Sequence, residues 1–138
     1  RVDSITKESL KPENYLKKFS ETNIKSGEKV SVFVYTSKLK IDIWDYGIED
    51  GDIITILQND KPILENIKVS RRKQSFTLSL DQKENEFKII TVNSGKLETN
   101  TTKLKLYDFR REYEVVASLK EGEAAIINVV RLRVPTKK

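Results

Sequence analysis

Short runs of β-forming residues, spaced about ten residues apart, constrain the fold of this chain more than any other feature. Apolar and polar residues alternate within them, as in Phe76, Leu78 and Leu80. Period-two alternation is typical of a strand that buries one face. We therefore predict an all-β fold: an antiparallel β-sandwich of immunoglobulin-like or Greek-key type, with about nine strands and an irregular or short-helical N-terminal segment. The predicted strands are 29–35, 39–45, 53–58, 62–69, 75–80, 86–92, 102–108, 112–119 and 124–133.

Turn-forming residues separate these runs. Asn59 and Asp60 lie between two apolar runs, and both tolerate the left-handed conformation of a tight hairpin. Gly51, Gly95 and Gly122 occupy other predicted turns. The β-sandwich domain is predicted at 28–135, followed by a basic tail at 136–138.

Residues 1–27 follow a different pattern and are predicted to be a linker or an edge segment. Pro12, Tyr15 and Phe19 fit two turns of amphipathic helix, with the two aromatic residues at i and i+4. The same residues fit an edge strand or a linker from a preceding domain. The sequence leaves all three alternatives open.

The composition excludes several kinds of chemistry. The 138 residues include no His and no Cys, which rules out a Ser-His-Asp triad, a cysteine nucleophile and an ordinary structural zinc site. Acid–base catalysis would depend on Asp, Glu, Lys or Tyr alone. We therefore predict that the chain is not an enzyme. The apolar runs are only a few residues long, so we also predict no transmembrane segment.

An acidic region interrupts a chain whose net charge is +5: residues 41–65 carry seven acidic residues and one lysine. Asp45, Glu49, Asp50 and Asp52 lie on or beside one predicted loop. Their carboxylates could converge there on Ca²⁺ as a structural cofactor. The alternative is turn chemistry, in which the carboxylates accept hydrogen bonds from the loop's own N–H groups and face water. The spacing differs from that of an EF-hand.

Two aromatic residues flank the acidic loop. Alternation places Trp44 and Tyr46 on the face opposite Ile41 and Ile43, so that if the isoleucines are buried the aromatic rings point outward. An exposed pair of rings could form a stacking platform for a carbohydrate. The alternative is that both faces of the sheet are covered and Trp44 is ordinary packing.

The basic clusters favour a solvated surface rather than a nucleic-acid site. They comprise Arg71-Arg72-Lys73, Arg110-Arg111, and Arg131 with Arg133, and acidic residues are interspersed near them. We predict no nucleic-acid partner, a protein or glycan as the candidate partner, and a monomer or a part of a larger chain.

The run from Ile43 to Ile54, IWDYGIEDGDII, resembles a signature of uncharacterised secreted or envelope-associated β-sandwich domains of Bacteroidota, roughly [YW]-D-N-G-x-x-D-G-D. Weaker likenesses extend this resemblance over about residues 39–130. Tyr46 stands where those domains have Asn, which removes one oxygen donor for a metal, and Asp60 stands where they have Gly. The resemblance implies a β-sandwich in a secreted, periplasmic or outer-membrane-associated protein, and it implies no activity.

The leading hypothesis is a non-catalytic module of a secreted or cell-envelope protein, acting in binding, adhesion or assembly. The alternative is a carbohydrate-binding module that uses Trp44 and Tyr46 for stacking and the acidic loop for a structural Ca²⁺. A cytoplasmic polyanion-binding protein built on the arginine clusters is the third hypothesis.

Overall fold

The computed structural model describes residues 21–45, 51–93, 99–109 and 111–132, which form ten strands and no helix. The strands are β1 (Glu21–Lys25), β2 (Lys29–Val34), β3 (Lys38–Asp45), β4 (Ile53–Gln58), β5 (Lys61–Lys68), β6 (Gln74–Ser79), β7 (Glu84–Asn93), β8 (Thr99–Tyr107), β9 (Glu112–Lys120) and β10 (Ala124–Arg131). They form two five-stranded sheets, with the orders β1-β9-β8-β3-β6 and β2-β10-β7-β4-β5. The predicted all-β sandwich is confirmed.

The core lies between the two sheets and follows the alternation in the sequence. On β3, Leu39, Ile41 and Ile43 are buried, and on β4 Ile54 and Ile56 are buried. Inward-facing side chains of both sheets thus form one hydrophobic core. On β3 the opposite face carries mostly polar residues, whereas on β4 and β10 it also carries half-buried apolar residues such as Leu57 and Ile126.

The first two strands form the parallel pairs of the fold. β1 pairs in parallel with β9, and β2 pairs in parallel with β10. A turn at Ser26 and Gly27 moves the chain from one sheet to the other, and Gly27 adopts a φ of 81° that favours glycine. The other pairings among the described strands are antiparallel.

β1 lies within the segment 1–27, for which the sequence left helix, edge strand and linker open. It is an edge strand, and it contributes the fully buried Ile24 to the core. The candidate helix at Pro12 to Phe19 lies outside the described residues.

The hairpin predicted at Asn59 and Asp60 is confirmed. These residues connect β4 to β5 with φ values of 51° and 72°, so both are left-handed. Gly51 and Gly122 have positive φ in the turns where they were predicted, whereas Gly95 lies outside the described residues.

The described residues include no helix with the length and apolar character needed to cross a membrane.

Candidate functional site

Trp44 lies on the outer face of the sheet β1-β9-β8-β3-β6. Its neighbours Ile43 and Asp45 are buried on the core side, and Trp44 itself is half-buried on the opposite side. The orientation follows from strand alternation, because successive side chains of a strand point to opposite faces.

Two lysines from the neighbouring strands flank the Trp44 ring. Lys103 is the cross-strand partner of Trp44 on β8, and its Nζ lies 5.6 Å from the ring centroid. Lys73 directly precedes β6, and its Nζ lies 4.6 Å from the same centroid. Both distances are within the range of a cation–π interaction. Two ammonium groups therefore lie close to the indole ring.

Asp42 lies two residues from Trp44 on the same face and is unusually buried for an outward carboxylate, with 8% of its surface exposed. Its Oδ1 accepts hydrogen bonds from Ser75 Oγ (2.7 Å) and Tyr107 Oη (3.3 Å). These bonds join β6, β3 and β8 and offset the cost of burying the charge.

Tyr107 belongs to the same polar network. Its burial raises the pKa of the phenol above the usual 10.0, and the charge and hydrogen bond of Asp42 raise it further. Lys105 Nζ lies 5.3 Å from the Tyr107 ring centroid and 3.2 Å from Glu112 Oε2. Tyr107 is thus neutral at ordinary pH, and its hydroxyl donates a hydrogen bond to Asp42.

We define the Trp44 face as the ten residues of β6, β3 and β8, with Lys73 directly before β6, that lie around Trp44, Asp42 and Tyr107. Its members are Lys38, Lys40, Asp42, Trp44, Lys73, Ser75, Thr77, Lys103, Lys105 and Tyr107. Five lysines stand against one aspartate, so the described part of this face is positively charged. The nearest acidic residues opposite β8 are Glu112 and Glu114 on β9, which pair with Lys105 and Lys103.

The acidic loop is described only at its two ends. Asp45 ends β3 and Asp52 precedes β4, and both are buried, at 5% and 2% exposure. Tyr46, Glu49 and Asp50 lie outside the described residues. Asp45 N donates to Ser70 O and Val69 N donates to Asp52 O, both at 2.8 Å. Both ends of the β3–β4 connection therefore lie beside the start of the β5–β6 connection.

The burial of Asp45 and Asp52 differs from the turn interpretation in which the loop charges face water. Within the described ranges, no group of three or more potential metal-ligating side chains is present. Only two of the four proposed ligands are described, and the Ca²⁺ site therefore stays a prediction.

A second exposed feature is the turn between β8 and β9, which the sequence analysis did not single out except for its arginines. Phe109 is 69% exposed there. Asp108 fixes the turn, because its carboxylate accepts hydrogen bonds from the backbone N–H groups of Arg111 (2.6 Å) and Tyr35 (2.9 Å).

The predicted basic clusters do not form one surface. Lys73 belongs to the Trp44 face, Arg111 lies 5.2 Å from the Tyr35 ring centroid at the β8–β9 turn, and Arg131 Nη1 donates to Leu80 O (3.0 Å). Arg110 and Arg133 lie outside the described residues.

Lys103, Lys105, Asp42 and Tyr107 were not predicted as site residues. Alternation along β8 could have placed Lys103, Lys105 and Tyr107 on one face. Their position beside Trp44 depends on the register between β3 and β8, which short-range patterns do not specify.

No protein-family model, curated protein or solved structure matches this chain. The resemblance to secreted β-sandwich domains stays a prediction, and function is inferred from the residues of the Trp44 face themselves.

Proposed function

We propose that this chain is a non-catalytic binding module of a secreted or cell-envelope protein, and that its ligand binds to the Trp44 face. The supporting observation is the outward position of Trp44 among ordered polar side chains. A half-buried indole offers apolar area at low entropic cost, which is why aromatic residues are enriched at binding surfaces. The secreted or envelope location is proposed from the sequence resemblance alone.

The non-catalytic part of the proposal is supported by the composition and by Asp42. The sequence has neither His nor Cys. Asp42, the one carboxylate of the Trp44 face, is held by Ser75 and Tyr107. A glycosidase needs two carboxyl groups across a cleft, about 5–10 Å apart. The described part of this face offers one.

Affinity gel electrophoresis against a panel of neutral and acidic polysaccharides tests the proposal. We expect at least one polysaccharide to retard the chain, with retardation lost in Trp44→Ala and kept in Val92→Ala. Val92 is the control, because it is an exposed apolar residue on β7, in the other sheet. Prolonged incubation should leave the length of the polysaccharide unchanged. Absence of retardation by every polysaccharide, or shortening of the polymer, contradicts the proposal.

The alternative function is a carbohydrate-binding module with a structural Ca²⁺ in the acidic loop. The observation that favours it is the position of Asp45 and Asp52, which bond through their backbones to the consecutive residues Ser70 and Val69. Two carboxylates at neighbouring crossings are a starting point for a hard-cation site.

Thermal unfolding in excess Ca²⁺ and in EDTA tests this alternative. A cation at about 100 times its Kd adds about 2.7 kcal/mol to the stability, which raises Tm by several degrees for a domain of this size. The alternative requires that Asp50→Asn abolish the rise and that Asp60→Asn, a control in the exposed β4–β5 turn, preserve it. An equal Tm in Ca²⁺ and EDTA contradicts it.

A further inference from the structure

We infer that the ligand of the Trp44 face is an acidic glycan, a polysaccharide that carries carboxylate or sulfate groups. This inference rests on the proposed binding function and specifies its ligand. In the complex, the Trp44 ring stacks against the sugar while Lys73 binds the anionic group.

Two lysines lie close to the Trp44 ring and bear on the charge of its ligand. Lys73 and Lys103 bring their ammonium groups to 4.6 and 5.6 Å from the ring centroid. A sugar that stacks on this ring comes within reach of both ammonium groups. A neutral sugar displaces a cation–π contact without replacing it, whereas an acidic sugar forms an ion pair with the same lysine. The arrangement therefore favours an anionic ligand over a neutral one.

The two lysines differ in their availability. Lys103 is paired with Glu114 at 3.4 Å, and 14% of its side chain is exposed. Lys73 is exposed, and among the described residues it forms no ion pair; its described contact is with the Trp44 ring. Lys73 is therefore the cation that can accept an anionic group of the ligand without breaking an internal pair.

The charge of the whole face agrees with this assignment. Lys38 and Lys40 extend the positive surface along β3 from the Trp44 end, whereas Lys105 on β8 is paired with Glu112. The single acid, Asp42, is already engaged by Ser75 and Tyr107. Like charges gathered on one surface attract a polyanion, and the attraction weakens with salt.

The spacing of the two aromatic residues favours a polymer. Trp44 lies four residues from Lys40 along β3, and Lys40 is the cross-strand partner of Tyr107. At about 3.3 Å per residue and about 5 Å between strands, the Cα atoms of Trp44 and Tyr107 are about 14 Å apart. A ligand that contacts both rings is an extended chain of several sugars rather than one ring.

A glycan fits this face better than a single-stranded nucleic acid does. Nucleic-acid binders stack successive bases on aromatic residues and use arginine for both stacking and phosphate contacts. The described cations of the Trp44 face are all lysines, and its two rings are well separated.

The test compares polygalacturonate with its methyl-esterified form, which has the same backbone without the charge. We expect isothermal titration to show binding to polygalacturonate, and binding to the ester that is at least several-fold weaker. Replacing the exposed Lys73 by Gln should weaken binding to polygalacturonate by about two- to fivefold, the range for an exposed ion pair. The matched control Lys61→Gln, an exposed lysine on the other sheet, should leave the affinity unchanged.

The possible failures are distinguishable. Equal affinity for polygalacturonate and its ester overturns the acidic-glycan inference and leaves the binding function intact. Equal losses in Lys73→Gln and Lys61→Gln indicate a general attraction and overturn the assignment to this face, as does equally tight binding of poly(dT). If neither form of the polymer nor any neutral polysaccharide binds, the proposed function itself fails. Circular dichroism of each variant confirms that the fold is retained.

Discussion

Tyr107 and Asp42 are coupled by one hydrogen bond on the Trp44 face, and this coupling can be measured. Burial raises the pKa of Tyr107 above 10.0, and Asp42 raises it further by its charge and by accepting a hydrogen bond from the phenol. We expect Asp42→Asn to lower the pKa of Tyr107 toward 10.0, because the carboxamide carries no charge. Titration of phenolate absorbance, with Tyr107→Phe subtracted to assign the signal, checks this. An unchanged pKa in Asp42→Asn contradicts the contact.

The same coupling affects stability at alkaline pH. Because the folded-state pKa of Tyr107 is raised, the unfolded chain releases this proton first as the pH increases. The contribution of Tyr107 is therefore complete below about pH 10 and is lost as the pH rises through the folded-state pKa. We expect urea denaturation above pH 10 to show a steeper loss of stability in the wild type than in Tyr107→Phe.

The orientation of Trp44 was predictable, but its surroundings were not. Alternation with Ile41 and Ile43 is a local rule, and it correctly placed the indole on the outer face. Lys73 and Lys103 are 29 and 59 residues away in the sequence, and they reach the ring only because β6 and β8 both pair with β3. Pairing partners are set by the whole fold. The sequence therefore predicted the outward orientation of the Trp44 ring but not the position of Lys73 and Lys103 beside it.

The hairpin between β4 and β5 shows how one turn depends on two different residues. Asn59 and Asp60 both have positive φ, but Asn59 also accepts a hydrogen bond from Glu86 N at 2.8 Å and donates one to Asn85 at 3.3 Å. We expect Asn59→Gly to destabilise the chain by about 1–2 kcal/mol, because these bonds are lost. Asp60→Gly relieves the left-handed strain and should be neutral or stabilising by up to about 1 kcal/mol. Urea denaturation of both variants checks the difference in sign.

β1 is the strand that the sequence did not specify. Nine strands were found from alternation, whereas Glu21–Lys25 has a single large apolar residue and no visible pattern. Its structure comes from pairing with β9, which positions Ile24 opposite Ala117. A polar edge strand of this kind is defined by its partner rather than by its own residues.

Substitution of Ile24 tests whether β1 belongs to the folded unit. Ile24 is fully buried, so we expect Ile24→Ala to cost about 2–5 kcal/mol. Asn23→Ala, an exposed neighbour on the same strand, should change the stability by less than about 0.5 kcal/mol. Chemical denaturation followed by Trp44 fluorescence gives both values. Equal small effects would show that β1 is dispensable and that the sandwich begins at β2.

The first two described strands pair with the last two in the folded molecule. β1 and β2 pair with β9 and β10, about ninety residues later in the sequence. β10 lies between β2 and β7 in its sheet and buries Ala125, Ile127 and Val129 in the core. Such non-local pairing means that the sheet β1-β9-β8-β3-β6 is incomplete until β9 is present, and the sheet β2-β10-β7-β4-β5 until β10 is present.

Central and edge strands should therefore tolerate deletion differently. A chain that ends at Gly122 lacks β10. Its absence separates β2 from β7 and exposes the apolar side of β7, including Phe87 and Ile89. We expect this chain to show no cooperative thermal unfolding by circular dichroism. A chain that begins at Glu28 lacks, of the described strands, only the edge strand β1, and we expect it to unfold cooperatively at a lower Tm. Cooperative unfolding of the first chain would contradict the idea that β10 joins the sheet into one unit. Deletion of an edge strand removes pairing on one side of its neighbour only, so cooperativity should be retained in the second chain. Its loss would mean that β1 is as essential as β10.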